Sequence, residues 1–101
     1  MAITDKNLLL ERPHPISMIG GVQRIYRFKN NWGLSAVNSP IIHYQEFPCA
    51  WEIAVLKNVN DNGKFETLAY DTELTSDVEI FDSDEEANAF IDKAEKYFNQ
   101  L

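Results

Sequence analysis

Residues 50–56 read Ala-Trp-Glu-Ile-Ala-Val-Leu, a run without Gly or Pro in which Trp51, Ile53 and Val55 alternate with Glu52, Ala54 and Leu56. Alternation with this β-branched and aromatic content predicts a strand. Successive side chains of a strand point to opposite faces, so Trp51, Ile53 and Val55 form one large apolar row. The second row is smaller and mixed. A central strand with one face under a helix and the other partly open fits that asymmetry.

The rest of the chain offers partners for it. Residues 22–28 (Val-Gln-Arg-Ile-Tyr-Arg-Phe) predict a strand with Val22, Arg24, Tyr26 and Phe28 on one face and Gln23, Ile25 and Arg27 on the other. Asn30, Asn31 and Gly33 mark a turn, because Asn and Gly tolerate positive φ. Residues 34–38 return as a second strand, and residues 39–48 read as a long loop closed by Pro48. After the strand at 50–58, Asn60-Asp61-Asn62-Gly63 is a hairpin signal. Residues 65–70 then run back as a fourth strand, and residues 78–81 suggest a short fifth.

The C-terminal segment predicts a helix over residues 83–100. Ser83 is a natural N-cap, Glu86 stands three residues on as in a capping box, and Asp84, Glu85 and Glu86 suit the positive end of the helix dipole. Ala87, Phe90, Ile91, Ala94, Tyr97 or Phe98, and Leu101 recur at helical spacing, with Asn88, Asp92, Lys93, Glu95, Lys96 and Asn99 opposite. The destination of that apolar stripe is the Trp51 face. Burying Phe90 or Phe98 there contributes roughly 1.5–3 kcal/mol each. Residues 1–19 read as an irregular arm. Thr4 is placed to cap a short helix over residues 5–11, which Pro13 and Pro15 would end.

The expected architecture is therefore α+β: a four- to five-stranded, mainly antiparallel meander over residues 22–81, with one C-terminal helix packed on one face. At 101 residues the chain suits a single domain spanning residues 1–101. No stretch approaches the roughly 20 apolar residues of a membrane span. A single cysteine, Cys49, leaves no internal disulfide and points to a reducing, cytoplasmic setting.

Little in the sequence carries chemistry. Cys49, His43, His14, Glu46 and Glu52 are the residues from which a thiol or metal site could be assembled. The paired short spacings of structural zinc are missing, and Cys49 after Pro48 suits a small buried filler. No phosphate-binding glycine pattern occurs. The expectation is no catalytic residue, no metal and no cofactor. A small hydrolase or nucleotide-binding enzyme is the least favoured class. Arg24, Arg27 and Lys29 interleave with Tyr26, Phe28 and Trp32 as in a miniature RNA-reading sheet, but Tyr26 and Phe28 share a face with Val22, which makes them core.

Charge is the sharper signal. The formal net charge is −7. Residues 1–40 carry five basic groups against two acidic, whereas residues 41–101 carry four against fourteen. Direct nucleic-acid binding is disfavoured, because phosphate contacts need Lys and Arg. Residues 71–86 hold eight carboxylates and no Lys or Arg. A solvated loop and helix cap explain much of that run. Its functional reading is an acidic surface formed by Asp77, Glu79, Asp82, Asp84, Glu85 and Glu86. Such a surface would engage a basic or nucleic-acid-binding protein, steering association in a salt-sensitive way.

Gly20-Gly21-Val22 leading to Tyr26-Arg27-Phe28, then Gly33-Leu34-Ser35, then residues 51–55, and finally Tyr70-Asp71-Thr72 resemble a group of small bacteriophage-encoded accessory proteins. The matches are short and scattered over residues 20–82, and none is a catalytic signature. The resemblance implies a protein expressed in the host cytoplasm that binds and modulates a host or anti-phage-defence protein. The alternative is a homo-oligomeric structural or interaction module, a homodimer through an open sheet face or edge strand.

Overall fold

The computed structural model describes residues 3–13, 21–38, 51–65, 67–68 and 79–100. They form a five-strand antiparallel meander, β1 (Leu8–Pro13), β2 (Val22–Arg27), β3 (Gly33–Asn38), β4 (Trp51–Lys57) and β5 (Thr67–Leu68), followed by one helix, α1 (Asp84–Asn99). A short strand, β6 (Glu79–Phe81), also pairs with β4. The α+β architecture expected from the alternation and the helical stripe is the one observed.

The register explains why the large-residue faces coincide. Leu34 lies opposite both Tyr26 and Val55, and Ala36 lies opposite both Arg24 and Ile53. Tyr26, Leu34, Ala36, Trp51, Ile53 and Val55 therefore share one face, and α1 covers it with Ala87, Phe90, Ile91, Ala94 and Phe98. Aromatic rings close the seam. The Phe98 ring lies 5.3 Å from Phe28 and 5.4 Å from Trp32, and Phe81 meets Phe90 at 5.2 Å. Separations of this order suit offset and edge contacts between rings.

The other face is not simply open. Ile25, Leu56 and Val59 form a second, smaller core there, with Leu9, Leu10 and Phe65 packed against it. The segment after β4 covers this end. Asn58 turns the chain at φ 56°, Val59 N–H donates to the Asn31 carbonyl (2.9 Å), and Arg27 reaches Asp61. At Gly63 the turn comes so close to Leu10 that an added Cβ would lie 2.4 Å from the leucine Cδ2. The Asn60–Gly63 signal thus marks the loop of the β4–β5 hairpin, and that loop folds over the second face. The Asn60 side chain holds it by accepting from the backbone N–H groups of Asn62 and Lys64.

One expectation is corrected. Residues 8–13, placed in an irregular arm with a short helix over 5–11, are the edge strand β1, so the sheet begins at Leu8 rather than Val22. The reason lies in the three leucines. A pairing irregularity between Leu8 and Leu10 sends Leu8 to the α1 face and both Leu9 and Leu10 to the second core. A β-bulge lets consecutive apolar residues serve both sides of a sheet, which no short helix could do. Pro13 is tolerated because the strand is an edge and ends there.

Candidate functional site

The acidic end of the fold is built where β6 hands over to α1. Phe81, opposite Trp51 in the register, packs its ring on Phe90. Ser83 then caps the helix, its Oγ accepting from the Glu86 N–H at 3.1 Å. Trp51 Nε1–H donates to Asp84 Oδ1 at 2.5 Å, which ties the first residue of α1 to the central strand. These contacts fix the start of the helix on the sheet, and the remaining acidic side chains project from a held frame. Asp82, Glu85 and Glu86 are exposed, and among the described residues none of them enters an ion pair.

The six acidic residues singled out by charge therefore divide. Asp82, Glu85 and Glu86 form an exposed group. Asp84 belongs to the frame through Trp51. Glu79 is half-buried in β6 opposite Ile53, on the α1 side. Asp77 lies outside the described residues, as do Cys49, His43, His14 and Glu46. Glu52 sits half-buried on the second face opposite Ile80 of β6, and Ile80 is 44% exposed. Among the described residues no three His, Cys, Asp or Glu side chains gather as metal ligands would. No helix among them is long and apolar enough to cross a membrane.

The basic residues of the first half are placed quite differently. Arg24 is buried on the α1 face and Arg27 pairs with Asp61. Lys6 pairs with Glu95 at 2.9 Å. On the second face Arg12 Nε donates to Gln23 Oε1 (2.7 Å), and Gln23 Nε2 donates to Ser35 Oγ (2.9 Å). Tyr26 and Phe28 lie beneath α1, so the aromatic–basic pattern of β2 is no base-stacking platform. Folding engages Lys6, Arg12, Arg24 and Arg27 in internal contacts, and leaves Lys29 and the negative group at 82, 85 and 86 exposed.

A second constellation escaped the sequence reading. Residues 3–7 lie across the edge between α1 and β2. The Thr4 N–H donates to Asn88 Oδ1 (2.7 Å), and the Thr4 carbonyl accepts from the Tyr26 hydroxyl (2.7 Å). Asn7 Nδ2 donates to Glu95, and Asp5 pairs with Arg24. Arg24 Nη1 also donates to the Ile3 carbonyl (3.3 Å). Its Nε lies 3.1 Å from Glu11 Oε2 without forming a hydrogen bond, so that contact is a charge pair only. The lysine and the amide hold the Glu95 carboxyl below its usual range. One signal was present in the sequence: the alternation in β2 put Arg24 in the same row as Tyr26 and Phe28, and a buried guanidinium needs acceptors from somewhere.

Tyr26 gives this region a measurable property. Its side chain is fully enclosed, and burial pushes the phenol up to about 12 against the opposing pull of Arg24. A folded value raised above the unfolded one contributes stability that is complete below about pH 10 and lost as pH rises towards about pH 12. Two units correspond to roughly 2–3 kcal/mol. Urea midpoints measured from about pH 9 upward should fall steeply in the wild type. Tyr26→Phe should start about 1 kcal/mol lower, for the lost hydrogen bond, and lack that part of the fall. Equal alkaline slopes in the two proteins would contradict the assignment.

No protein-family model, curated protein or solved structure matches the chain.

Proposed function

We propose that this is a non-enzymatic binding protein that engages a basic surface of another protein through the acidic end of α1, with Asp82, Glu85 and Glu86 as the contact group. The observation that supports it is the contrast in how charge is used. Of the basic side chains, Lys6, Arg24 and Arg27 are spent on internal ion pairs while lysines such as Lys29 stay exposed; these three carboxylates stand together at one end of the helix, exposed and in no ion pair among the described residues. Exposed like charges held on a fixed frame repel one another and gain most from a partner of opposite sign, which also accelerates encounter. The resemblance to phage accessory proteins suggests the setting: a host or anti-phage-defence protein, including one whose basic surface ordinarily meets nucleic acid.

The test is capture from bacterial lysate with tagged protein, washed at low and at high salt. Wild type should retain a basic partner at low salt and release it as salt rises. The triple variant Asp82→Asn, Glu85→Gln, Glu86→Gln should lose that capture by about tenfold or more. It keeps Ser83 and Asp84, and with them the cap and the Trp51 hydrogen bond. Capture of the same partner at equal strength by the triple variant would reject the reading.

Ile80 favours a second reading. It is the exposed large hydrophobic residue of the described chain and sits on a short strand at the sheet edge. Self-association through that edge predicts a dimer mass that persists in high salt and is abolished by Ile80→Lys, since the contact would be apolar.

A further inference from the structure

Residues 3–7 run beside α1. The Thr4 N–H meets Asn88 and the Asn7 side chain meets Glu95, two residues two turns apart on one side of the helix. Residues 5–8 form a turn, so the segment is a short strap with a turn at its base, tied to the helix near both ends.

What the strap covers differs from what holds it. Beneath it are Tyr26, with no exposed surface, and Arg24, whose side chain is 7% exposed. The ties themselves are polar: Thr4 to Asn88 and Tyr26, Asp5 to Arg24, Lys6 and Asn7 to Glu95. Of residues 3–7, only Ile3 packs on the core, and it is half-buried. At Asn7 the chain turns through a left-handed φ of 66°, and the Leu8 N–H closes the turn on the Asp5 carbonyl at 3.0 Å. From Asn7, whose carbonyl accepts from the Arg27 N–H at 3.0 Å, the backbone is locked onto the sheet. A segment with little apolar burial, ionic ties and a turn at its base belongs to the low end of local stability.

We propose that residues 3–7 form a strap that opens as a unit about Asn7 while the sheet and helix stay folded, and that Glu95 is its latch. The Glu95 carboxylate takes both strap donors, the Lys6 ammonium through Oε1 and the Asn7 amide through Oε2. Opening bares a guanidinium and a phenol side by side, the Arg24 carbon standing 5.8 Å from the Tyr26 ring centre. The open state thus presents the Arg24–Glu11 ion pair and the Tyr26 hydroxyl beside α1, which the closed state conceals.

Amide hydrogen exchange tests this on the full chain, with the Thr4 N–H as reporter of the strap and those of Leu34 and Ile53 as reporters of the sheet. In Glu95→Gln the Thr4 amide should exchange about tenfold faster, the effect of losing a charge-assisted contact, with the sheet reporters unchanged. Added salt should speed Thr4 exchange in the wild type and speed it less in Glu95→Gln, where of the strap's ionic ties only the Asp5–Arg24 pair remains. Asn88→Ala, which cuts the other end, should speed it without altering the salt response. Two results would overturn the proposal. One is a Thr4 rate indifferent to Glu95→Gln; the other is Thr4 and sheet amides exchanging together in every variant, which makes the strap part of the cooperative core.

Discussion

Phe98→Ala is expected to lower the free energy of unfolding by about 3–5 kcal/mol, the cost of emptying an aromatic site in a packed core. Phe98 has no exposed surface, and three rings surround it, those of Phe28, Trp32 and Tyr97. Two of them come from the sheet side and one from the helix itself, so the site cannot collapse without moving α1 relative to the end of β2 and the turn after it. That rigidity puts the loss in the upper range for large-to-small substitutions. For a domain of this size it should appear as a fall in melting temperature of roughly 4–8 °C for each kcal/mol. The check is a urea titration with the slope held constant. A loss below about 1 kcal/mol at unchanged slope would mean that the helix does not rest on this ring.

Gly33→Ala should cost upward of about 3 kcal/mol, although alanine is ordinarily the better residue in a strand. Two effects compete. Replacing glycine where the backbone is ordinary stabilises by about 0.4–1 kcal/mol through the unfolded chain. Gly33 has such a backbone, since its φ is not positive. Against that, the new Cβ would stand 2.4 Å from the Tyr26 carbonyl oxygen and 2.6 Å from Val59 Cγ2. The valine methyl can be removed, but the carbonyl belongs to a central strand and cannot give. Packing strain wins. In a double-mutant cycle with Val59→Ala, the coupling should recover part of the loss but not all of it. A neutral or stabilising Gly33→Ala would show that β2 and β3 sit farther apart than described.

The contrast between these two residues marks how far the sequence could be read. The Phe98 prediction needs only the helical spacing from Ala87 to Phe98 and a strand with a large-residue face. The Gly33 prediction needs the register, because nothing in Trp-Gly-Leu says that a carbonyl will stand 2.4 Å from where a Cβ would be. The candidate site splits in the same way. That residues 82–86 are acidic and cap a helix is visible in Ser83 and Glu86. That Asp84 is spent on Trp51 while Asp82, Glu85 and Glu86 remain exposed follows from the distance between α1 and β4.

By itself the sequence determined the strands β2, β3 and β4, the helix and its cap, and which face of the sheet the helix covers. These follow from periods of two and 3.6 residues and from a local hydrogen bond, all carried by neighbours in the chain. Only the tertiary structure decided that Leu8, Leu9 and Leu10 form a bulged edge strand rather than a helix. The same is true of the turn after β4, which folds across the second face to Leu10, and of residues 3–7, which strap α1 to β2. Each of these depends on partners distant in sequence. A leucine triplet can serve one side of a helix or both sides of a sheet, and which costs less free energy depends on the surfaces that the rest of the chain brings to it.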